Sequence, residues 1–113
     1  METLSKQRII KALKGIGLSN VDSRVYVFLA IEGPHKVREI TGALNLQESK
    51  VYGSLKDLQS IEVVKASIEH PLEFIALPFE EVLDIFIEVK KEQTKTMQDS
   101  KEELISRWKT IID

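Results

Sequence analysis

Residues 37–58, VREITGALNLQESKVYGSLKDL, hold two apolar patterns of helical period separated by a break of two residues. Val37, Ile40 and Leu44 lie three and four apart, and Val51, Leu55 and Leu58 fall at i, i+4 and i+7. Both spacings put the apolar side chains on one face of a helix. Asn45-Leu46 interrupts the pattern, so the stretch predicts two short helices joined by a tight turn. Such a pair is the helix-turn-helix unit, whose second helix can enter a DNA major groove. The flanking segments decide whether that unit has the scaffold it needs.

Upstream, a first helix is expected over about residues 5–14, with Ile9, Ala12 and Leu13 inward and Ile10 and Ile16 beside them. Lys6, Arg8, Lys11 and Lys14 make its outer side basic, which suits a solvated face, a phosphate contact or a dimer contact. Gly15 or Gly17 ends it. Ser19 caps the next helix, and Asp22 places a carboxylate in its positive first turn. That helix buries Val21, Val25, Phe28 and Leu29 and runs to about Ile31. Glu32-Gly33-Pro34 stops it, because glycine adopts the left-handed cap and proline cannot extend a helix. His35-Lys36-Val37 suggests a short strand.

Downstream, residues 61–68 (IEVVKASI) and 72–77 (LEFIAL) are rich in β-branched and aromatic residues and flank His70-Pro71. Val64, Ala66 and Ile68 form one face, with Leu72, Phe74 and Ala76 on the return strand. The pattern predicts a β-hairpin, which is unstable in water unless packed on the helices. A hairpin directly after a helix-turn-helix is a wing. The expected architecture is therefore α+β and mainly α, with a winged helix-turn-helix domain over 1–78.

From Phe79 to Ile112 there is neither Gly nor Pro. At roughly 1.5 Å per residue this is a helix about 50 Å long, more than a small core can cover. Glu80 and Glu81 suit its positive N-terminal turn. Val82, Phe86 and Val89 form a proximal apolar group; Met97, Leu104 and Ile111 recur seven apart, with Trp108 between the last two. An exposed Trp and neighbouring isoleucines need a covering surface, so residues 79–113 are expected to form a dimerisation helix, antiparallel and coiled-coil-like, with those seven residues as contacts. The proximal group, with Leu83, suits docking on the core or on a partner, and folding back onto the same subunit or fraying are the alternatives for the distal part.

The bulk numbers fit. The 113 residues are 42% apolar and 30% charged, as in soluble globular proteins. No apolar run approaches the roughly 18 residues of a membrane span, and METLSKQRIIKALKG lacks the apolar core of a signal peptide. Without cysteine, disulfides and thiolate metal sites are excluded, which fits the cytoplasm. His35 and His70 sit beside prolines and read as solvated turn residues rather than metal ligands, and no cofactor is expected. Catalysis finds no support: Glu80-Glu81 and Glu102-Glu103 are helix neighbours that diverge by about 100° and cannot form an acid–base pair. The formal charge of −2 divides into +1 for residues 1–78 and −3 for 79–113. The basic bias of the N-terminal part is mild for a DNA-binding module.

The ordered motifs Gly17-Leu18-Ser19, Asp22, Arg24-Val25-Tyr26, Leu29, Gly33-Pro34, Glu39-Ile40, Ser49-Lys50-Val51-Tyr52, Leu55 and Leu58 resemble the TrmB-like family of archaeal transcriptional regulators. The resemblance covers roughly residues 16–77, and its most distinctive part is Ser49-Lys50-Val51-Tyr52. It implies a sequence-specific DNA-binding repressor or activator that works as a homodimer on a pseudo-palindromic double-stranded site. Larger members continue into a sugar-sensing domain, so no small-molecule effector site is expected within 1–113. Two departures stand out. The wing tip is Glu69-His70-Pro71-Leu72-Glu73 where relatives commonly carry basic residues, and Glu48 opens the recognition helix. Both place acidic charge near expected phosphates and should weaken binding.

With Val51, Leu55 and Leu58 inward on a recognition helix over 48–59, Ser49, Gly53 and Lys56 point away from the core, with Lys50 and Tyr52 at the flanks. Lys50 and Lys56 are candidates for phosphate or guanine contacts, and Ser49 for a phosphate or base edge. Gly53 either admits close approach to the helix backbone or has no role, and Tyr52 is either a core-edge residue or a DNA contact. Lys36 and Arg38 are candidates for a flanking phosphate; Arg24 reads as structural. The competing reading is a winged-helix protein-interaction module of the transcription or replication machinery, using the acidic wing or the long helix.

Overall fold

The computed structural model describes residues 2–113, with side chains from Leu4 onward. Five helices and one hairpin follow in the order α1 (Glu2–Gly15), α2 (Asn20–Glu32), α3 (Val37–Leu44), α4 (Glu48–Ser60), β1 (Val64–Ala66), β2 (Phe74–Ala76) and α5 (Phe79–Ile112). They form two compact units, Met1–Phe79 and Glu80–Asp113. The expected mainly helical α+β class, with a winged helix-turn-helix and a long C-terminal helix, is what forms.

The first unit is built on α2. Ser19 accepts a 3.0 Å hydrogen bond from the Asp22 amide and caps the helix as expected, while Gly33 ends it at φ 86°. Burial on α2 is wider than its apolar stripe suggested. Val25, Tyr26, Val27 and Leu29 are buried, and so is Ser23, whose hydroxyl donates to the Ser19 carbonyl at 2.8 Å. Val21 and Phe28, expected inside, are half-buried. A helix buried on most of its circumference is a central one. Tyr26, unclaimed from the sequence, is 1% exposed and donates from its hydroxyl to the Leu77 carbonyl at 2.6 Å. Its polar tip therefore joins the centre of α2 to the end of the hairpin. Among the described side chains of α1 only Leu13 is fully buried, Ile9 is half-buried, and Ala12 faces out rather than in.

Val37 and Ile40 of α3 and Val51, Leu55 and Leu58 of α4 are all buried. The turn between these helices depends on Asn45, which adopts the left-handed conformation (φ 52°, ψ 48°) and donates its amide to the Thr41 carbonyl. Asparagine tolerates that conformation better than most residues. This is why the break falls where the apolar pattern pauses.

The wing is antiparallel, with Val64 opposite Ala76, Lys65 opposite Ile75 and Ala66 opposite Phe74. Val64 and Phe74 are buried. Each strand has three residues, shorter than the apolar alternation predicted. Ile68 lies beyond the ladder and is fully exposed. One further backbone bond follows the ladder, from the Ser67 amide to the Glu73 carbonyl at 2.7 Å, and the Ser67 hydroxyl, which lies 3.2 Å from the carbonyls of Glu69 and Pro71, accepts from the Glu73 amide at 2.9 Å. The expected strand at residues 35–37 reduces to a single bridge, in which His35 exchanges backbone hydrogen bonds of 3.2 and 2.8 Å with Phe74. His35 is thus not a solvated turn residue. It is half-buried, its ring centroid lies 4.9 Å from that of Phe28, and its Nδ1 is 2.8 Å from the Gly33 carbonyl oxygen.

In α5, the surface ion pairs Glu88–Lys91 and Glu103–Arg107 span one turn each. Of the seven residues expected to face a dimer partner, Val82 is completely buried within the chain and has no surface left to offer. Phe86 is half-buried, whereas Val89, Met97, Leu104, Trp108 and Ile111 are exposed.

Candidate nucleic-acid interface

The face of α4 opposite its buried stripe is open. Ser49, Lys50, Tyr52, Gly53 and Lys56 are all exposed, Tyr52 over 54% of its surface. Tyr52 therefore belongs to the outer face rather than the core. A Cβ added at Gly53 would meet nothing within 4 Å. No packing inside the chain demands glycine there, so the flat patch between Ser49 and Lys56 is free for an approaching surface. Lys36 and Arg38 are exposed at the start of α3. Lys36 precedes that helix with extended backbone, and its amide donates to Glu39 Oε1 at 2.8 Å. This fixes the entry to α3.

The corner between α3 and α4 receives a hydrogen bond from α2. Arg24 donates from Nη2 to the Leu44 carbonyl at 3.0 Å. Leu44 is the last residue of α3, where unpaired carbonyls carry the negative end of the helix dipole. The guanidinium thus holds the helix-turn-helix corner and is structural, as its place on α2 suggested.

Beneath the outer face lies an acidic pair. Asp22 at the start of α2 has its pKa raised above the ordinary 3.8, first by burial and then by the neighbouring Asp57 carboxylate of α4. The hydroxyls of Ser54 and Ser19 pull it back only in part. Ser54, a polar residue on the buried side of α4, is one that the apolar periodicity did not reveal.

Sequence reasoning passed over Lys65. It is the only Lys or Arg in residues 61–77, and its exposed side chain lies on the outer face of β1, opposite Ile75. The strand alternation, with Val64 in and Lys65 out, was the signal that could have found it. At the tip, exposed Ile68 precedes Glu69, and exposed Leu72 lies between Glu69 and Glu73. Among the described residues, no group of His, Cys, Asp and Glu side chains could hold a metal ion, and no helix is long and apolar enough to cross a membrane.

Two helices, α1 and α2, and a helix-turn-helix, closed by a hairpin, with a polar and basic outer face on the second helix of the motif, define a winged helix-turn-helix regulator. The chain belongs to the TrmB family, described as sugar-specific transcriptional regulators, whose family model matches residues 13–80. Its members are described as transcriptional regulators. No curated protein matches the chain. Among solved structures it is similar to TrmBL2, an archaeal chromatin protein, with 23% identity and a TM-score of 0.74 over 96% of this chain and 44% of that one. It thus spans less than half the length of TrmBL2. It is also similar to a possible transcriptional regulator from Methanosarcina mazei, with 16% identity and a TM-score of 0.64 over 86% of each chain. A transcriptional regulator from Thermotoga maritima gives 18% identity and a TM-score of 0.59 over 96% of this chain and 85% of that one. At these identities the likenesses establish the fold.

Proposed function

We propose that the chain is a sequence-specific DNA-binding transcriptional regulator, active in the cytoplasm as a homodimer on a pseudo-palindromic site. Residues 1–78 are the DNA-reading domain and 79–113 the dimerisation helix. The helix α4 enters the major groove, with Ser49, Lys50, Tyr52, Gly53 and Lys56 on the DNA side. Lys36 and Arg38 take flanking phosphates, and the hairpin over 61–77 lies alongside as the wing, with Lys65 its one cation. Phe86, Val89, Met97, Leu104, Trp108 and Ile111 are the candidate dimer contacts. The observation that carries this reading is the exposed, packing-free face of α4, on a helix whose opposite face is wholly committed to the core. Two such helices about a two-fold axis would read half-sites about 34–36 Å apart.

Titration of labelled genomic fragments at low and moderate salt tests it. Specific binding that weakens with salt is expected, and Lys50→Glu and Lys56→Glu should each abolish it. Variants that bind like the parent chain would reject the site assignment.

A second reading follows from the wing tip, where a fully exposed Ile68 stands next to Glu69 on an acidic turn. That chemistry suits a basic and apolar protein surface better than a phosphate backbone. Failure to retain any DNA at low salt, together with a protein partner lost on Ile68→Ser, would favour this interaction module.

A further inference from the structure

The first unit contains a groove of about 910 Å³ lined by α1, α2 and the segment that leaves β2. Ile9, Val27, Ala30, Ile31 and Leu77 supply its apolar wall, and Lys6 and Glu32 stand on its walls from α1 and α2. Ile31 is 57% exposed although it projects from the central helix of the unit. An apolar recess with an exposed isoleucine in its wall is a surface that awaits cover.

The cover has a match in the same sequence. At about 100° per residue, Leu104, Ile105, Trp108, Ile111 and Ile112 fall within one stripe of α5 about 120° wide. All five are exposed, Ile111 to 75%. Glu102 and Lys109 flank this stripe on one side, seven residues apart, and no ion pair engages them or Lys6 and Glu32 among the described residues. The charges are complementary: Lys109 answers Glu32 and Glu102 answers Lys6. Between this stripe and the proximal apolar group runs the polar segment 90–96, KKEQTKT. The distal stripe is therefore a separate docking element rather than the continuation of one seam.

We propose that the distal stripe of α5 docks in the α1–α2 groove of a second copy of this chain, and that the second copy returns the contact. This deepens the homodimer reading above and rests on it. Reciprocal exchange about a two-fold axis closes the assembly at two chains, because each groove is filled and each tail is used. It also makes the contact twice, which raises a pair of helical segments toward the roughly 1,200–2,000 Å² of a stable interface. Trp108 is the natural anchor, since a buried aromatic in a pocket carries a disproportionate share of interface energy.

The chain has one tryptophan and no cysteine, so the test is clean. A chain bearing Ala30→Cys and Trp108→Phe is labelled with a nitroxide and mixed with the unmodified chain after dilution and reassociation. The only tryptophan then belongs to the unlabelled copy. Loss of most of its emission in the mixed dimer supports docking in the groove. So does a label that converts the dimer to a folded monomer, with light scattering and circular dichroism as readouts. A labelled dimer of full mass whose Trp108 emission is unchanged overturns the groove assignment while leaving the homodimer standing. An unmodified chain that scatters as a monomer at high concentration overturns both.

Discussion

The Arg24 guanidinium on the central helix donates to the carbonyl of Leu44, the last residue of the first helix in the helix-turn-helix, at 3.0 Å. Its placement joins chain segments 20 residues apart. A charged donor at a helix C-terminus satisfies an otherwise orphaned carbonyl and complements the dipole. The interaction ties α2 to the corner from which α4 leaves. Arg24→Ala should cost about 1.5–3 kcal/mol, the range for a hydrogen bond to a charged group. Urea denaturation reads the loss, and an unchanged midpoint would contradict this role.

Recognition and steering should separate on the outer face. Each phosphate contact contributes roughly 0.9 to the slope of log K against log salt. Lys36→Ala, Arg38→Ala and Lys65→Ala should each flatten that slope by about one contact and weaken all sequences alike. Lys50→Ala and Lys56→Ala should in addition reduce the ratio of specific to non-specific affinity. Salt titrations on an operator fragment and a scrambled duplex distinguish the two groups.

Glycine in an exposed helix interior costs about 0.8–1.0 kcal/mol relative to alanine. The open space at Gly53 means that the extra methyl meets no internal obstacle. Gly53→Ala should therefore raise the denaturation midpoint while lowering DNA affinity, because the methyl intrudes on the approaching backbone. A gain in stability with affinity unchanged would remove Gly53 from the interface.

The acidic wing tip should restrain binding rather than direct it. Replacing Glu69 and Glu73 by lysine removes two like charges near the expected phosphates and adds two cations. Affinity for any duplex should rise, with a steeper salt dependence. A loss of affinity would instead mean that the carboxylates make a favourable contact.

Asp22 gives the pH dependence a definite sign. Burial raises its pKa in the folded chain, so the native state holds this proton more tightly than the unfolded state. Stability attached to the group is complete below the ordinary value of 3.8 and falls as pH rises through the raised native value. Above that window the ionised form carries a constant penalty. Asp22→Asn should therefore be more stable than the parent chain at pH 7, with the difference vanishing below the ordinary carboxylate pKa. Thermal melts at pH 3 and pH 7 test it.

Much of this molecule was legible because its elements are locally consistent. Val37, Ile40, Val51, Leu55 and Leu58 follow helical spacing, and each is buried. Asn45 breaks the pattern at a left-handed residue, and the Gly- and Pro-free run from Phe79 to Ile112 is one helix. What escaped notice depended on contacts far apart in sequence. Tyr26 reads as an ordinary aromatic until its hydroxyl meets Leu77, 51 residues on. His35 reads as a turn residue until its backbone pairs with Phe74. Val82 matched the apolar pattern of a partner-facing helix, but periodicity reports that a face is buried without naming what covers it. The hairpin was overestimated for a related reason: β-branched residues mark strand propensity, whereas beyond the Ser67–Glu73 backbone bond the chain turns through His70-Pro71 with the Ser67 hydroxyl bonded inside the turn.

The three-residue strands of the wing have a bearing on behaviour at high concentration. A sheet edge becomes a template for aggregation when it is long, flat and apolar. Here β2 is bracketed by β1 and the His35 bridge, and the free margin of β1 is one short segment centred on Lys65. Another chain arriving as a strand would find few unpaired amides and a positive charge in their midst. The brevity of this edge works against fibrillar growth through it.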